Sequence, residues 1–157
     1  MNIREGDARD RDAILALRRL VFPGVDAEKQ RADFWHWQFD KGRTFVAEEG
    51  GRVVGHLGFM PGREAMLACD AMVDPSMHGR GVFSALAKAA TEIVRRGVPR
   101  VFAFQIREAV LPAMRRAGYV EVLRAPVVLR PTFALPRGRV RGRVDVIGDS
   151  EIGRAHV

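Results

Sequence analysis

The sequence predicts an α/β (α+β) fold: a mixed, mostly antiparallel central sheet with helices on both faces. Short apolar segments separated by Gly- and Pro-containing turns fill residues 44–73, as in a meander. Segments with apolar residues at helical spacing flank that meander on both sides. One of them joins the strand ending at Val73 to an apolar segment starting at Arg100, a crossover that makes those two strands parallel.

In chain order, Asn2 to Arg4 begins a first strand, and Asp7 or Asp10 is placed to cap the helix that follows. Ala13, Ile14, Leu17, Leu20 and Val21 share one face of that helix, and Pro23-Gly24 stops it. A second helix is predicted from Ala27 to Phe39, ended by Lys41-Gly42. Thr44 to Glu48 and Val53 to Met60 read as a hairpin around Glu49-Gly50-Gly51-Arg52. Pro61-Gly62 turns the chain into a third strand, Ala65 to Val73, and residues 75–81 form a loop. From Val82 the pattern is helical: Val82, Phe83, Leu86, Ala89, Ala90, Ile93 and Val94 lie together, and Gly97 closes the helix. Arg100 to Gln105 has almost no polar interruption, which predicts a buried central strand. Ala109 to Arg116 is a short helix, with Pro112 in its first turn and Gly118 at its stop. Tyr119 to Leu123 and Val127 to Leu129 are predicted as final strands.

A chain of 157 residues, 47% apolar and 29% charged, has the size and composition of one globular domain. The lone cysteine, Cys69, excludes an internal disulfide and a Cys-based zinc site. His36, His56, His78 and His156 lack metal-ligand spacing, so no metal is expected. No apolar run reaches the ~18–20 residues of a membrane span, and the N-terminus lacks a signal-peptide pattern. The expected location is cytoplasmic, with no membrane partner. The net charge is +7, and of 26 basic residues only Lys29, Lys41 and Lys88 are lysines. That charge is spread too evenly for a nucleic-acid footprint, although a basic nucleic-acid-binding domain is one alternative class.

Ile152 to Val157 matches the in-frame translation of a common sequencing adapter. The expected organisation is therefore a domain over 1–130, an incomplete C-terminal segment over 131–151 and a non-native stretch over 152–157.

The chemistry concentrates in Val73-Asp74-Pro75-Ser76-Met77-His78-Gly79-Arg80-Gly81-Val82-Phe83-Ser84-Ala85-Leu86. Gly79 and Gly81 permit close backbone approach to a ligand. The helix behind them begins with unpaired amides and a partial positive charge, which together suit a pyrophosphate. Arg80 adds a formal charge. Rival phosphate motifs fail: there is no P-loop, the third glycine of a dinucleotide fingerprint falls at Ser84, and no Gly-x-Ser-x-Gly elbow is present.

This stretch resembles the acetyl-CoA signature of the GNAT N-acetyltransferase superfamily, Gln/Arg-x-x-Gly-x-Gly/Ala behind a strand ending in Val-x-Pro. His78 stands at the Gln/Arg position and Gly79-Arg80-Gly81 fit. Val82-Phe83-Ser84 is similar to a subgroup reading Gly-x-Gly-Ile-Phe-Ser. The resemblance extends from about Asn2 to about Arg130, through the Glu48-to-Gly58 hairpin and Arg115-Arg116-Ala117-Gly118-Tyr119. It implies an acyl-CoA N-acyltransferase-like fold in which strands 65–73 and 100–105 splay apart. The pantetheine arm of acetyl-CoA would then pair with backbone near Met72 and Val73. The pyrophosphate would sit on the amides of Gly79, Arg80, Gly81, Val82, Phe83 and Ser84, beside His78. The implied reaction is direct acetyl transfer to a primary amine of a small molecule, amino sugar or peptide; a homodimer is one arrangement considered for the chain.

The chain departs from the family at the usual general acid, a tyrosine, where it has Met114, and at a customary asparagine, where it has Arg107. A non-catalytic acyl-CoA-binding module is therefore a second alternative. Tyr119 reads as packing. Asp70, late on the third meander strand, and His56, on the strand before it, are the candidate bases; Glu108 and Glu64 follow them. Cys69 reads as packing rather than nucleophile. Phe34-Trp35-His36-Trp37 would flank the acceptor groove, mostly as core, with room for contact to a cationic or sugar acceptor.

Overall fold

The computed structural model describes residues 1–24, 27–104 and 106–122. All but Glu121 and Val122 belong to one unit, Met1–Val120. The predicted strand Val127–Leu129, the segment 131–151 and the stretch 152–157 lie outside the described residues.

Strand β1 spans Asn2–Glu5. Asp7 then caps a single 3-10 turn, accepting from Arg9 N at 2.8 Å, while Asp10 Oδ2 accepts from Asp7 N at 2.8 Å. Helix α1, Arg11–Val21, follows. The second predicted helix is split: Ala27–Gln30 is a 3-10 turn, Arg31 is extended, and α2 runs only from Ala32 to Phe39. A competing bond explains the break. Arg18 Nη1 donates to the Lys29 carbonyl at 2.6 Å and draws it out of a helical ladder.

Strands β2 (Arg43–Glu49), β3 (Arg52–Pro61) and β4 (Ala65–Val73) form the antiparallel meander. Helix α3 (Val82–Arg95) crosses over to β5 (Arg100–Ala103), and α4 covers Leu111–Arg116. The sheet order is β1-β2-β3-β4-β5, antiparallel except for the parallel β4–β5 pair. The predicted fold class is the observed one.

Period-two alternation splits the core between the two sheet faces. Phe45, Ala47, Leu57, Phe59, Met66 and Ala68 pack against Val82, Leu86, Ala90 and Val94 of α3 and Met114 of α4. Val46 and Met72 point the other way, to Ile14, Leu15 and Leu17 of α1 and Trp35 and Phe39 of α2. Two glycines of β3 set these distances. A Cβ at Gly55 would lie 3.1 Å from Val82 Cγ1, and one at Gly58 would lie 2.3 Å from the Phe39 ring.

The last predicted elements differ. Among the described residues β5 closes the sheet at its edge rather than its centre, leaving Phe102 42% and Phe104 73% exposed. An apolar run shows that a strand can be buried, not that both faces are covered. Tyr119–Val122 forms no strand. Tyr119 N instead closes α4 on the Met114 carbonyl at 3.1 Å.

Candidate active site

The turn between β4 and α3 is built from a fixed base upward. Asp74 Oδ1 accepts from Ser76 N at 2.9 Å and Ser76 Oγ at 2.7 Å, and Arg52 Nη2 donates to Oδ2 at 2.7 Å. The Ser76 donors, then the Arg52 charge, hold the Asp74 carboxyl below its ordinary range. Met77 anchors the turn in the core. Gly79 and Gly81 are both left-handed, with φ of 77° and 76°. A Cβ at either would meet nothing within 4 Å, so the backbone dihedral, not lack of space, calls for glycine there.

This path leaves donors open. The first amide to rejoin the helical ladder is Ala85 N, bonded to the Gly81 carbonyl at 3.0 Å. Among the described residues no backbone acceptor takes the amides of Gly79, Gly81, Val82, Phe83 or Ser84. Arg80 is tied to Glu49 Oε1 at 3.2 Å, and His78 Nε2 lies 3.3 Å from the Val73 carbonyl. Arg116, which sequence reasoning did not select, reaches across from α4 and donates to Ser84 Oγ at 3.1 Å. Its position two residues before Gly118 placed it on the last turn of a helix, but nothing in the sequence told where that helix points.

Beside this turn the described pairing of β4 with β5 stops before β4 does. Ala65↔Arg100 is the first β4–β5 pair and Ala68↔Ala103 the last, whereas β4 continues to Val73. Cys69–Val73, including Met72 and Val73, thus presents a backbone edge that no described strand pairs on the β5 side. Past that pairing β4 carries a bulge: Gly58 pairs with Cys69 and His56 with Met72, so β4 has one residue more than β3 over this interval. Asp70 sits in it with φ 53°, the one positive φ among described non-glycine residues. That conformation costs about 1–2 kcal/mol, and two side chains hold it. Arg18 Nη2 donates to Asp70 Oδ2, and His56 Nδ1 lies 2.9 Å from the Asp70 carbonyl.

A carbonyl only accepts, so this contact places the His56 proton on Nδ1. Nε2 is buried without a partner. Burial pushes the His56 pKa down, only partly opposed by Asp70, and the ring is neutral. Arg18 was also missed by sequence reasoning. The signal was its place in the apolar stripe of α1, four residues after Ile14.

The remaining candidates scatter. Burial pushes the Cys69 thiol up to about 11, and Gln38 Nε2 donates to its sulfur at 3.7 Å. Glu64 is exposed, 3.9 Å from Arg100. Arg107 and Glu108 are exposed before α4, while Met114 is buried under it. Tyr119 packs against the core and accepts from Thr91 Oγ1 at 3.2 Å; burial raises its pKa. Thr91 lies nine residues along α3 from Val82, about 13 Å by helical rise. Trp35 is core, whereas Trp37 is 70% exposed and lies 5.4 Å from Phe34, beside Glu28 and Asp33. Among the described residues no cluster of His, Cys, Asp and Glu could hold a metal, and no helix is long and apolar enough to cross a membrane.

A strand edge that no described residue pairs beyond Ala68, followed by a glycine-framed helix start, can receive an extended ligand with an anionic middle: donors for the anion, the strand edge for the arm. Comparison with known proteins agrees with that class. The model of the acetyltransferase (GNAT) family matches residues 11–119, more than half of the chain, and the chain belongs to this family. No curated protein sequence matches it. Among solved structures it is similar to AAC(6')-Iy in complex with a bisubstrate analog, CoA-S-monomethyl-acetylneamine: 19% identity, TM-score 0.66, over 83% of this chain and 97% of that one. It is similar to the ribosomal-protein-S18-alanine N-acetyltransferase from Escherichia coli, at 17% identity and TM-score 0.65, over 78% and 79% of the two chains. A GNAT family acetyltransferase from Brucella melitensis in complex with acetyl-CoA gives 20% identity and TM-score 0.57, over 71% and 79%. At these identities the likeness is one of fold.

Proposed function

We propose that this protein transfers an acetyl group from acetyl-CoA to a primary amine of a small molecule, amino sugar or peptide. The observation that carries the reading is that, among the described residues, the amides of Gly79, Gly81, Val82, Phe83 and Ser84 have no backbone acceptor and the β4 edge past Ala68 has no paired strand. The amides, with His78, Arg80 and Arg116 around them, take the pyrophosphate. The edge at Met72 and Val73 takes the amides of the pantetheine arm as an added strand would. The thioester then lies near the bulge, where backbone N–H groups of β4 can hold the oxyanion.

The neutral amine attacks the thioester carbon and forms the C–N bond. The tetrahedral adduct expels CoA thiolate as the C–S bond breaks. Asp70 takes the ammonium proton, directly or through a water. Among the described residues no donor reaches its Oδ1, while Oδ2 is on Arg18. His56 is sealed from solvent and acts from behind Asp70, by its bond to the carbonyl. Met114 has no proton to give, so water protonates the thiolate. The Phe34–Trp37 pair, with Trp37 exposed and Phe34 half-buried, beside Glu28 and Asp33 suits a cationic acceptor.

Acetyl-CoA at 100–1,000 times its Kd should stabilise the fold by about 2.7–4.1 kcal/mol in a thermal-shift experiment. Thiol release from acetyl-CoA over a panel of putrescine, glucosamine and an alanyl peptide tests transfer. No shift at millimolar acetyl-CoA overturns the reading. Binding without thiol release would instead favour a non-catalytic acyl-CoA-binding module, the reading that the buried Met114 supports.

A further inference from the structure

We propose that Arg18 is a positioning residue for acetyl transfer: its buried guanidinium clamps Asp70 in the left-handed conformation and so fixes the β4 bulge just past the last described pair with β5. This rests on the acetyl-transfer reading above. Three observations lead to it.

Place is the first. Asp70 lies two residues beyond Ala68, the last β4 residue paired with β5, and its φ of 53° turns the strand there. Whatever sets that dihedral also sets the aim of the backbone groups that follow it on the side that no described strand pairs. Such a φ costs a non-glycine residue free energy, an aspartate less than most, and contacts to its surroundings offset that cost.

Connectivity is the second. Arg18 is 3% exposed and reaches three elements from α1. Nη1 donates to the Lys29 carbonyl at 2.6 Å; Nη2 donates to Gln38 Oε1 at 3.2 Å and to Asp70 Oδ2. Gln38 passes the contact on to the Cys69 sulfur, the residue before Asp70. His56 restrains the same residue through its carbonyl. Asp70 is therefore gripped at both its side chain and its backbone, and the guanidinium is fixed before it grips. A planar fork serves acceptors in separate directions, which a lysine ammonium on a flexible stem does not.

The third is that stability alone does not call for an arginine here. Position 18 borders an apolar cluster of Ile14, Leu15, Leu17, Trp35 and Phe39. A buried ion pair rarely stabilises a fold more than well-packed apolar side chains of similar volume would. What the charge pair supplies and an apolar residue cannot is a fixed direction for the Asp70 carboxylate and the turn beneath it.

The test combines Arg18→Met, Arg18→Lys, Asp70→Asn and the double variant R18M/D70N, with two kinds of readout. Amide hydrogen exchange of the full chain follows Ala71 and Met72 in β4 against Leu86 to Ala90 in α3. Steady-state thiol release with acetyl-CoA and the best amine of the panel gives kcat and the acetyl-CoA KM. In R18M, exchange at Ala71 and Met72 should rise at least tenfold while α3 is unchanged. In the same variant kcat should fall at least tenfold with KM within threefold of wild type. R18K should recover part of both losses. R18M/D70N should be no worse than D70N, because Arg18 acts through Asp70. If R18M does not fold, R18K carries the comparison, with a smaller loosening of β4 and a threefold or greater loss of kcat. Unchanged exchange at Ala71 and Met72 in the folded variants overturns the proposal. So does a kcat within twofold of wild type, or an R18M loss that is undiminished in the D70N background. If the wild type neither binds nor turns over acetyl-CoA, the functional reading fails while the exchange measurement still decides whether Arg18 holds the bulge.

Discussion

Among the described residues, Ala68 and Ala103 are the last two that pair across the parallel strands, and past them β4 runs on to Val73. The stretch beyond that pair begins just before the left-handed Asp70 and leads through the turn at 74–81 to the start of α3. A strand edge and a helix start, each short of hydrogen-bond partners among the described residues, thus follow one another along the chain. Such groups are costly to leave dry and ready to bind, which is why the site is best described by its unpaired backbone rather than by catalytic side chains.

Gly81→Ala should separate the shape of the anion cradle from its space. A methyl there meets nothing, but φ of 76° is unfavourable for alanine. The variant should lose about 1–2 kcal/mol in urea unfolding and bind acetyl-CoA at least tenfold more weakly by calorimetry. An unchanged Kd would mean that the amides behind Gly81 do not carry the phosphates.

Arg116→Ala probes the cation that α4 contributes. Its guanidinium is exposed, so folding stability should change by no more than about 0.5 kcal/mol. The acetyl-CoA Kd should rise about tenfold, the order of one charge-assisted hydrogen bond, and the difference should shrink with added salt. Equal affinity at low salt would remove Arg116 from the binding site.

Cys69 borders the free edge of β4, yet burial holds its thiol proton up to about 11. Thiolate-directed labelling at pH 8 should be slow in the folded protein and fast in denaturant. Cys69→Ala should retain kcat within twofold. Loss of turnover in this variant would point to a covalent acetyl-thioester on the protein rather than direct transfer.

Acid should destabilise the fold through His56. Its folded-state pKa is lowered by burial, so the native state resists a proton that the unfolded chain accepts. The stability it contributes is complete above the unfolded pKa of about 6.5 and is lost as pH falls below that value, at up to about 1.4 kcal/mol per pH unit. His56→Asn keeps a donor for the Asp70 carbonyl and does not titrate. Chemical denaturation from pH 7 to 5 should show the slope in wild type and not in the variant; equal slopes would assign it elsewhere.

The sequence made the cradle legible because its determinants are local: two glycines separated by one residue, and the apolar stripe from Val82 to Val94. The meander was legible for the same reason, in the turns at Gly50-Gly51 and Pro61-Gly62. The bulge was not, because it is held by partners distant along the chain: His56 from β3 and Arg18 from α1. The same Arg18 shortened α2, by capturing the Lys29 carbonyl from outside the segment that local propensity describes. The edge position of β5 among the described residues also escaped, since Phe102 and Phe104 read as buried until their exposed face is seen.

The most direct test is a titration of the isotopically labelled protein with acetyl-CoA, following backbone amide resonances. Saturable shifts should concentrate at Gly79 to Ser84 and at Cys69 to Val73, with α1 and β1 little affected. Binding that leaves both of those stretches unmoved would contradict a diphosphate cradle working with the β4 edge.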